Sequence, residues 1–439
     1  MKQSNESLTG WGRWRWSPAT VVTPTCRSEL EQEQLSADNL IVRGLGRSYG
    51  DAAQRDSGNA VVTTACNVID WHDRATGVIR ADAGVSIGQI ISRFAPKGWF
   101  VPVTPGTRNV TVGGAIAADI HGKNHHRDGS FGAHVISMRL RLANDEIIRV
   151  SPAVNGELFW ATVGGMGLTG IVVDAVIQLT PIASTTIEVE TQRLSSLTDL
   201  MDEMRRSDAL HAFSVAWVDL LQGQRSVLTQ GSFAAQAVGP AGNHRRPWTS
   251  AVGLPPVPLP RVAITPGVRA FNELWWRKAP AAPTTTGESI TAFFHPLDAI
   301  SDWNRVYGRT GFVQWQCVVP DSHDATLLDL ADRLTALPSY FTVLKRFGPA
   351  NQGPLSFPVP GWTLAVDLPA TAAVISALPA LDRAVANAGG RIYLAKDARM
   401  SRESFESMYP RLEEFKAIRR SVDPDGRFAS DLAARLGLC

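Results

Sequence analysis

Three stretches of this chain could do chemistry through their backbones: RGLGRSYGD at 43–51, PGTRNVTVGGAIAADIHGKNHH at 105–126 and VGGMGLTGIV at 163–172. Glycine at this density lets N–H groups come close to a phosphate and reach positive φ without strain. One such loop says little, but three in one region point to a large phosphorylated cofactor. Gly165, Gly167 and Gly170 spell G-x-G-x-x-G, yet ELFWATV before them reads as a helix and IVVDAVIQL after them as a strand. A nicotinamide fingerprint needs the reverse order, so a Rossmann site is rejected. Gly46-Arg47-Ser48-Tyr49-Gly50 spells the G-x-S-x-G of a serine hydrolase. The elbow should lead into a helix, whereas this one runs on as polar loop, which leaves hydrolysis a remote alternative. His121 and His125 are four apart, but Gly122 weakens any helix that would pair them on a metal, and no metal is expected. Polar contact with a cofactor or an anionic substrate is the better use of His121 and Lys123.

These loops need elements to hold them. Residues 40–180 alternate short β-rich runs (IVRGLG, AVVTT, GVIRADAG, ISMRLRLA, EIIRV, GIVVDAVIQL) with glycine-bearing turns. After Pro181 a second α+β segment opens, with a helix expected at 195–206 and strands at AFSVAWVDL, ITAFFHPL and GFVQWQCVVP. Prolines, alanines and glycines crowd residues 231–287, which predicts a long flexible loop. Phe271, Leu274, Trp275 and Trp276 lie inside it. Docking on the core is the favoured reading of that cluster, and a mobile lid or membrane-touching loop is the sharper one. Near the end, GRIYLAKD reads as a strand and FESMYPRLEEFKAIRRSVDP as one helix stopping near Asp423-Pro424.

Composition narrows the class. Of 439 residues, 44% are hydrophobic and 19% charged, enough for sizeable cores, and the length suggests two domains. Lys plus Arg (43) nearly balance Asp plus Glu (41) without a basic run, so no nucleic-acid partner is expected. Cys26, Cys66, Cys317 and Cys439 are far apart, which argues against zinc and against a disulfide framework. No signal peptide and no transmembrane run is recognisable. The expected location is cytoplasmic or peripheral to a membrane.

The three stretches, with TGWGR at 9–13, FFHPLD at 293–298, PLSFPVPGW at 354–362, YLAKDAR and FASDLAARL, resemble the vanillyl-alcohol oxidase superfamily. Within it the likeness is to the FAD-containing oxidase component of decaprenylphosphoryl-β-D-ribose 2-epimerases, over nearly the whole chain. The resemblance implies an α+β, two-domain FAD-binding fold of the vanillyl-alcohol oxidase type with an antiparallel-sheet substrate domain. Residues 1–185 and 390–439 would bind FAD, and residues 186–389 would bind substrate.

The activity implied is oxidation of the C2 hydroxyl of a lipid-phosphoryl ribofuranose to the 2-keto sugar, completed as an epimerisation by a separate NADH-dependent keto-sugar reductase. By motif, Gly44, Gly46, Arg47, Ser48, Tyr49 and Gly50 would wrap FAD. Gly106, Thr107, Thr111, Gly113, Gly114, Ala117, Asp119, His121, Gly122, Lys123, His125, Gly167 and Ile171 would complete its site. Lys123, Trp217, Phe294, Gln314, Gln316, Lys345, Thr363, Ala365 and Lys396 match substrate-pocket positions. Lys396, Tyr49 and His121 are the catalytic candidates, and the group that takes the hydroxyl proton stays open between Lys396 and Tyr49. Thr363 stands where the family usually has Asn, Ala365 where many members have Cys, and Phe294 where there is a Tyr. Those departures keep an oxidase of another ribofuranosyl substrate, an alditol or a sugar lactone as the alternative. The first loop contains no histidine, so the flavin is expected to be held without a covalent bond.

Overall fold

The computed structural model describes residues 1–32, 38–236, 252–253 and 261–439. The chain folds as α+β around three main sheets. Strands Lys2–Thr9, Trp16–Thr23, Gly58–Val62 and Leu40–Arg43 form a four-stranded sheet in that spatial order. Its first pair is antiparallel, and Gly58–Val62 runs parallel to both neighbours. Strands Ile69–Asp73, Val78–Asp82, Ile171–Gln178, Val135–Arg141 and Ile147–Val150 form an antiparallel five-stranded sheet, again in spatial order. Helix Ile87–Phe94 lays Ile87, Ile90, Ile91 and Phe94 on that sheet, the i, i+3, i+4, i+7 spacing of one helical face. Ser86 starts it with a capping box to Gln89.

The largest sheet is antiparallel and eight-stranded: Thr284–Ser289, Thr186–Leu194, Arg225–Phe233, Phe213–Asp219, Phe341–Phe347, Gly361–Pro369, Phe312–Pro320 and Arg391–Ile392. Side chains alternate across it with period two. On Phe312–Pro320, Val313, Trp315 and Cys317 enter a core shared with helices Leu197–Ser207, Asp324–Thr335 and Ala372–Asn387, while Gln314 and Gln316 point the other way. The chain end returns to the first sheet. The Leu40 backbone bridges Phe428, and Arg435 pairs with Asp51 at 2.8 Å.

Four expectations need correction. ITAFFHPL is not a strand: the Ser289 hydroxyl caps helix Ile290–Phe294, and a 3-10 turn follows at Pro296–Ala299. Phe293 and Phe294 are thereby both turned into an aromatic cluster with Phe213, which alternation along a strand would forbid. Residues 231–287 are not one loop, since they carry the end of strand Arg225–Phe233, helix Arg261–Lys278 and strand Thr284–Ser289. Proline density outweighed helical periodicity in that reading; residues 237–251 and 254–260 lie outside the described residues. In GRIYLAKD only Arg391–Ile392 pairs as strand, and Tyr393 onward turns back, with the Lys396 N–H donating to the Tyr393 carbonyl at 3.0 Å. The C-terminal helix is two, Arg402–Met408 and Leu412–Val422, because Pro410 bars Tyr409 from helical ψ.

Candidate active site

A cavity of about 1120 Å³ lies between the glycine-rich stretches and the open face of the eight-stranded sheet. One wall is built from the three glycine-rich stretches. Strand Leu40–Arg43 delivers the first stretch, and the Arg43 guanidinium clamps it by donating to the Thr9 and Ala53 carbonyls at 2.7 and 2.8 Å. Gly44 touches the second stretch: a Cβ there would collide with the Thr111 hydroxyl. Thr111 in turn caps helix Val112–Ala117, accepting from the Gly114 N–H at 3.2 Å. The third stretch joins through the Met166 N–H, which donates to the Ala117 carbonyl at 2.9 Å. At the far end of the first stretch, the Tyr49 N–H donates to the Ala395 carbonyl at 2.9 Å. A Cβ on Gly50 would overlap the Asp397 carbonyl, so only glycine lets these segments meet. Tyr49 and Lys396 are brought together as a result, with Lys396 Nζ 3.6 Å from the Tyr49 ring centroid.

The opposite wall is made of side chains. Trp217, Val343, Ala365 and Gln316 are paired in register across four adjacent strands and form one row facing the cavity. Two flanking residues brace it from the same face of strand Gly361–Pro369. Thr363 accepts from Gln316 Nε2 at 3.0 Å, and Asp367 accepts from Gln314 Nε2. Gln316 Nε2 also lies 2.9 Å from His121 Nε2. An amide nitrogen only donates, so His121 Nε2 accepts and its proton sits on Nδ1. That Nδ1 is buried without a partner, and so is Gln314 Oε1.

Electrostatics separates these groups. Burial, with Lys345, His125 and Lys396 adding repulsion, holds the His121 imidazole well below its usual range, so it stays neutral. Burial and the charge of Asp367 raise the Tyr49 phenol well above 10, which leaves it a donor. Three lysines converge on the cavity. Burial lowers Lys396 to about 7, with Asp367 pulling it up and Lys345 pushing it down. Lys345 is lowered to about 8 by burial, and Lys123 to about 7 by burial and Lys345. Lys123 is held by the Phe293 carbonyl and lies 4.0 Å from the Phe293 ring centroid. Among the described residues Lys345 Nζ has neither a hydrogen-bond nor an ion-pair partner.

Most of the residues singled out from sequence line this one cavity. Gly50, Asp119, His125, Ile171 and Thr363 stand behind its walls. Asp119 accepts from Ser130, Gly132 and Asn351 at 2.6, 2.9 and 2.6 Å, and its carboxyl is raised to about 6 by burial. It braces the turn between Ala118 and His121 rather than facing the cavity. His125 accepts from the Gly348 N–H at 3.1 Å and packs on Phe347. Ile171 belongs to a small core with Leu40, Val61 and Phe428.

Sequence reasoning missed Asp367, although a carboxylate in the apolar run WTLAVDLP was a visible signal. It also missed Asp298, which fastens the second stretch by accepting from the Thr107 hydroxyl at 2.7 Å and the Arg108 N–H at 2.9 Å. Glu288, next to last on strand Thr284–Ser289, was also missed and lines the cavity near Lys123.

Residues 18–151 match the FAD-binding domain model, and residues 377–436 match the D-arabinono-1,4-lactone oxidase model. The chain is 40% identical to decaprenylphosphoryl-β-D-ribose oxidase of Mycolicibacterium smegmatis, over 99% of this chain and 98% of that one. An uncharacterised protein of Streptomyces coelicolor is 37% identical over 81% of this chain and all of its own length. L-gulonolactone oxidase of Scyliorhinus torazame is 24% identical over 94% of both.

Proposed function

The chain belongs to the decaprenylphosphoryl-β-D-ribose oxidase family of FAD-dependent oxidoreductases, and from that premise we propose that it oxidises the C2 hydroxyl of a polyprenyl-phosphoryl ribofuranose to the 2-keto sugar. One observation carries the reading: a glycine-built wall and a wall bearing an unpaired lysine close on the same cavity.

The site fits the cofactor. The glycine stretches offer backbone close to the cavity, a Cβ on Gly106 would meet nothing within 4 Å, and His121 Nδ1–H is a buried donor without a partner. Gly44, Gly46, Arg47, Ser48, Gly106, Thr107, Gly113, Gly114, Gly122 and Gly167 would hold FAD, which supplies the hydride acceptor when bound. No histidine stands in RGLGRSYGD, so attachment is non-covalent; acid precipitation should leave the yellow colour in solution, and colour in the pellet would refute this.

The chain's own residues handle the proton and the anion. Neutral His121 keeps its proton on Nδ1, and Tyr49 is locked as a donor. The His121 Nε2 lone pair is taken by Gln316 and Lys123 is held by the Phe293 carbonyl, which leaves Lys396, lowered to about 7, as the group with a free base form near neutrality. It takes the C2 hydroxyl proton as the C2–H hydride leaves and the ketone forms. Lys345, with Lys123 beside it, receives the phosphodiester; a lone buried ammonium is stabilised by an anion that enters with the substrate. Gln314 Oε1 accepts from a sugar hydroxyl, while Trp217, Val343 and Phe294 exclude water. The ketone then passes to a separate NADH-dependent reductase, which returns hydride to the other face.

The match of residues 377–436 to a lactone-oxidase model supports a second reading, oxidation of a neutral lactone or alditol. Such a substrate would leave Lys345 uncompensated. Anaerobic mixing of the holoenzyme with each class decides. Rapid flavin bleaching by polyprenyl-phosphoryl ribose supports the first reading, and bleaching only by neutral polyols or lactones overturns it.

A further inference from the structure

The last two turns of helix Arg261–Lys278 meet the protein through Asn272, Glu273 and Trp276 and turn three large apolar side chains to solvent. Asn272 is 2% exposed and donates to Asp219 Oδ1 at 2.9 Å. Glu273 pairs with Arg225 at 2.7 Å, and the Trp276 ring lies 4.5 and 4.9 Å from the guanidiniums of Arg193 and Arg225. Phe271, Leu274 and Trp275, at i, i+3 and i+4, share the outer face and are 57%, 69% and 43% exposed. The Phe271 and Trp275 rings stack at 6.3 Å. Of the cluster expected to dock on the core, Trp276 packs against the protein on Arg193 and Arg225 and the other three face outward.

Exposed Phe, Leu and Trp at helical spacing mark an interaction surface, because water disfavours a contiguous apolar ridge. Its place says what it meets. Phe271, Trp275 and Lys278 stand at the rim of the cavity, as does Ile300, itself 39% exposed. Exposed Arg277 and Lys278 close the same end of the helix. Aromatic and aliphatic side chains flanked by cations are the composition of a helix lying in a bilayer's headgroup region. No described helix is long and apolar enough to cross a membrane, so contact from one side is the geometry left to this one.

We propose that the outer face of helix Arg261–Lys278 seats the enzyme on an anionic lipid surface, with the cavity mouth turned to the bilayer so that a lipid-linked sugar enters without its tail crossing water. The inference rests on the reading of the substrate as lipid-linked. Leu274 faces outward and does not line the cavity, so Leu274→Asp tests the surface and leaves the site intact. Wild-type holoenzyme should float with phosphatidylethanolamine–phosphatidylglycerol vesicles. Leu274→Asp should bind about tenfold more weakly or worse, the scale of losing one buried leucine. It should keep bound flavin, thermal midpoint and turnover on a short-chain, water-soluble ribosyl phosphodiester. Leu210→Asp, at a 73% exposed leucine away from the cavity, should float like wild type. Wild type that stays unbound, or Leu274→Asp that floats equally well, overturns the proposal. A wild-type dimer dissolved by Leu274→Asp overturns it too, and makes this face an interface between copies. Flotation without bleaching by polyprenyl-phosphoryl ribose would sink the substrate reading and support the surface.

Discussion

The two walls of the cavity are built on opposite principles. The glycine wall is backbone drawn in close, through Gly44 against the Thr111 side chain and through main-chain bonds from Tyr49 N–H to Ala395 and from Met166 N–H to Ala117. The sheet wall is side chains held by side chains, with Gln316 braced by Thr363 and Gln314 by Asp367. Backbone donors suit a cofactor of fixed shape, and side chains can change with the substrate. The three positions that the sequence resemblance marks as departures fall accordingly: Thr363 and Ala365 are on the sheet, Phe294 is on the helix beside it, and none is in a glycine stretch. Lys396 sits where the walls meet, carried by the turn that follows strand Arg391–Ile392.

If that division is right, substitutions on each side and at the junction should have different signatures. The largest effect belongs to the junction. Lys396→Ala should stay yellow and lose about two to four orders of magnitude in turnover, the usual scale for removing a proton-transfer group. Turnover within a few-fold of wild type would return Lys396 to the status of a wall residue.

On the sheet wall, Lys345→Met should raise the half-saturating concentration of a phosphoryl-ribose substrate about 10–100-fold, as expected for a charge-assisted contact. Its binding of neutral polyols should not weaken. Equal losses for charged and neutral compounds would mean that Lys345 supports the wall and not the anion.

On the glycine wall, Gly50→Ala forces a methyl group into the Asp397 carbonyl. A thermal melt should show a loss of about 1–3 kcal/mol, typical of overpacking, together with weaker FAD retention. A variant as stable and as yellow as wild type would show that the walls are not locked there.

The smallest effect is a shift in pH dependence. If Lys396 acts as the free amine, the limiting rate should rise as pH climbs through about 7. Asp367 favours the charged ammonium and Lys345 disfavours it. Asp367→Asn should therefore move the rise to lower pH, and Lys345→Met to higher pH. Shifts in the opposite directions, read from single-turnover flavin reduction, would assign the profile to another group.

The same contrast governs what was legible in the sequence. Glycine stretches are contiguous, so RGLGRSYGD and PGTRNVTVGGAIAADIHGKNHH announced a phosphorylated cofactor before any fold was known. The sheet wall is written one residue per strand. Trp217, Val343, Ala365 and Gln316 become neighbours only through register, and three of those four were marked by resemblance while no spacing could show them. Asp367 escaped because its partners, Tyr307 and Gln314, are 60 and 53 residues away. ITAFFHPL was misread as strand because period-two reading cannot see the Ser289 cap that starts a helix there. Helix Arg261–Lys278 was hidden by Pro266 and by the prolines before it, which mask an i, i+3, i+4 pattern.

The division of labour between anion contact and proton acceptor is tested most directly by anaerobic stopped-flow reduction of the flavin across substrate concentration, for Lys396→Ala and Lys345→Met beside wild type. At a pH well above the rise near 7, Lys396→Ala should lower the limiting rate and leave half-saturation unchanged, whereas Lys345→Met should raise half-saturation and leave the limiting rate close to wild type. Both variants altering the same parameter in the same way would contradict the account.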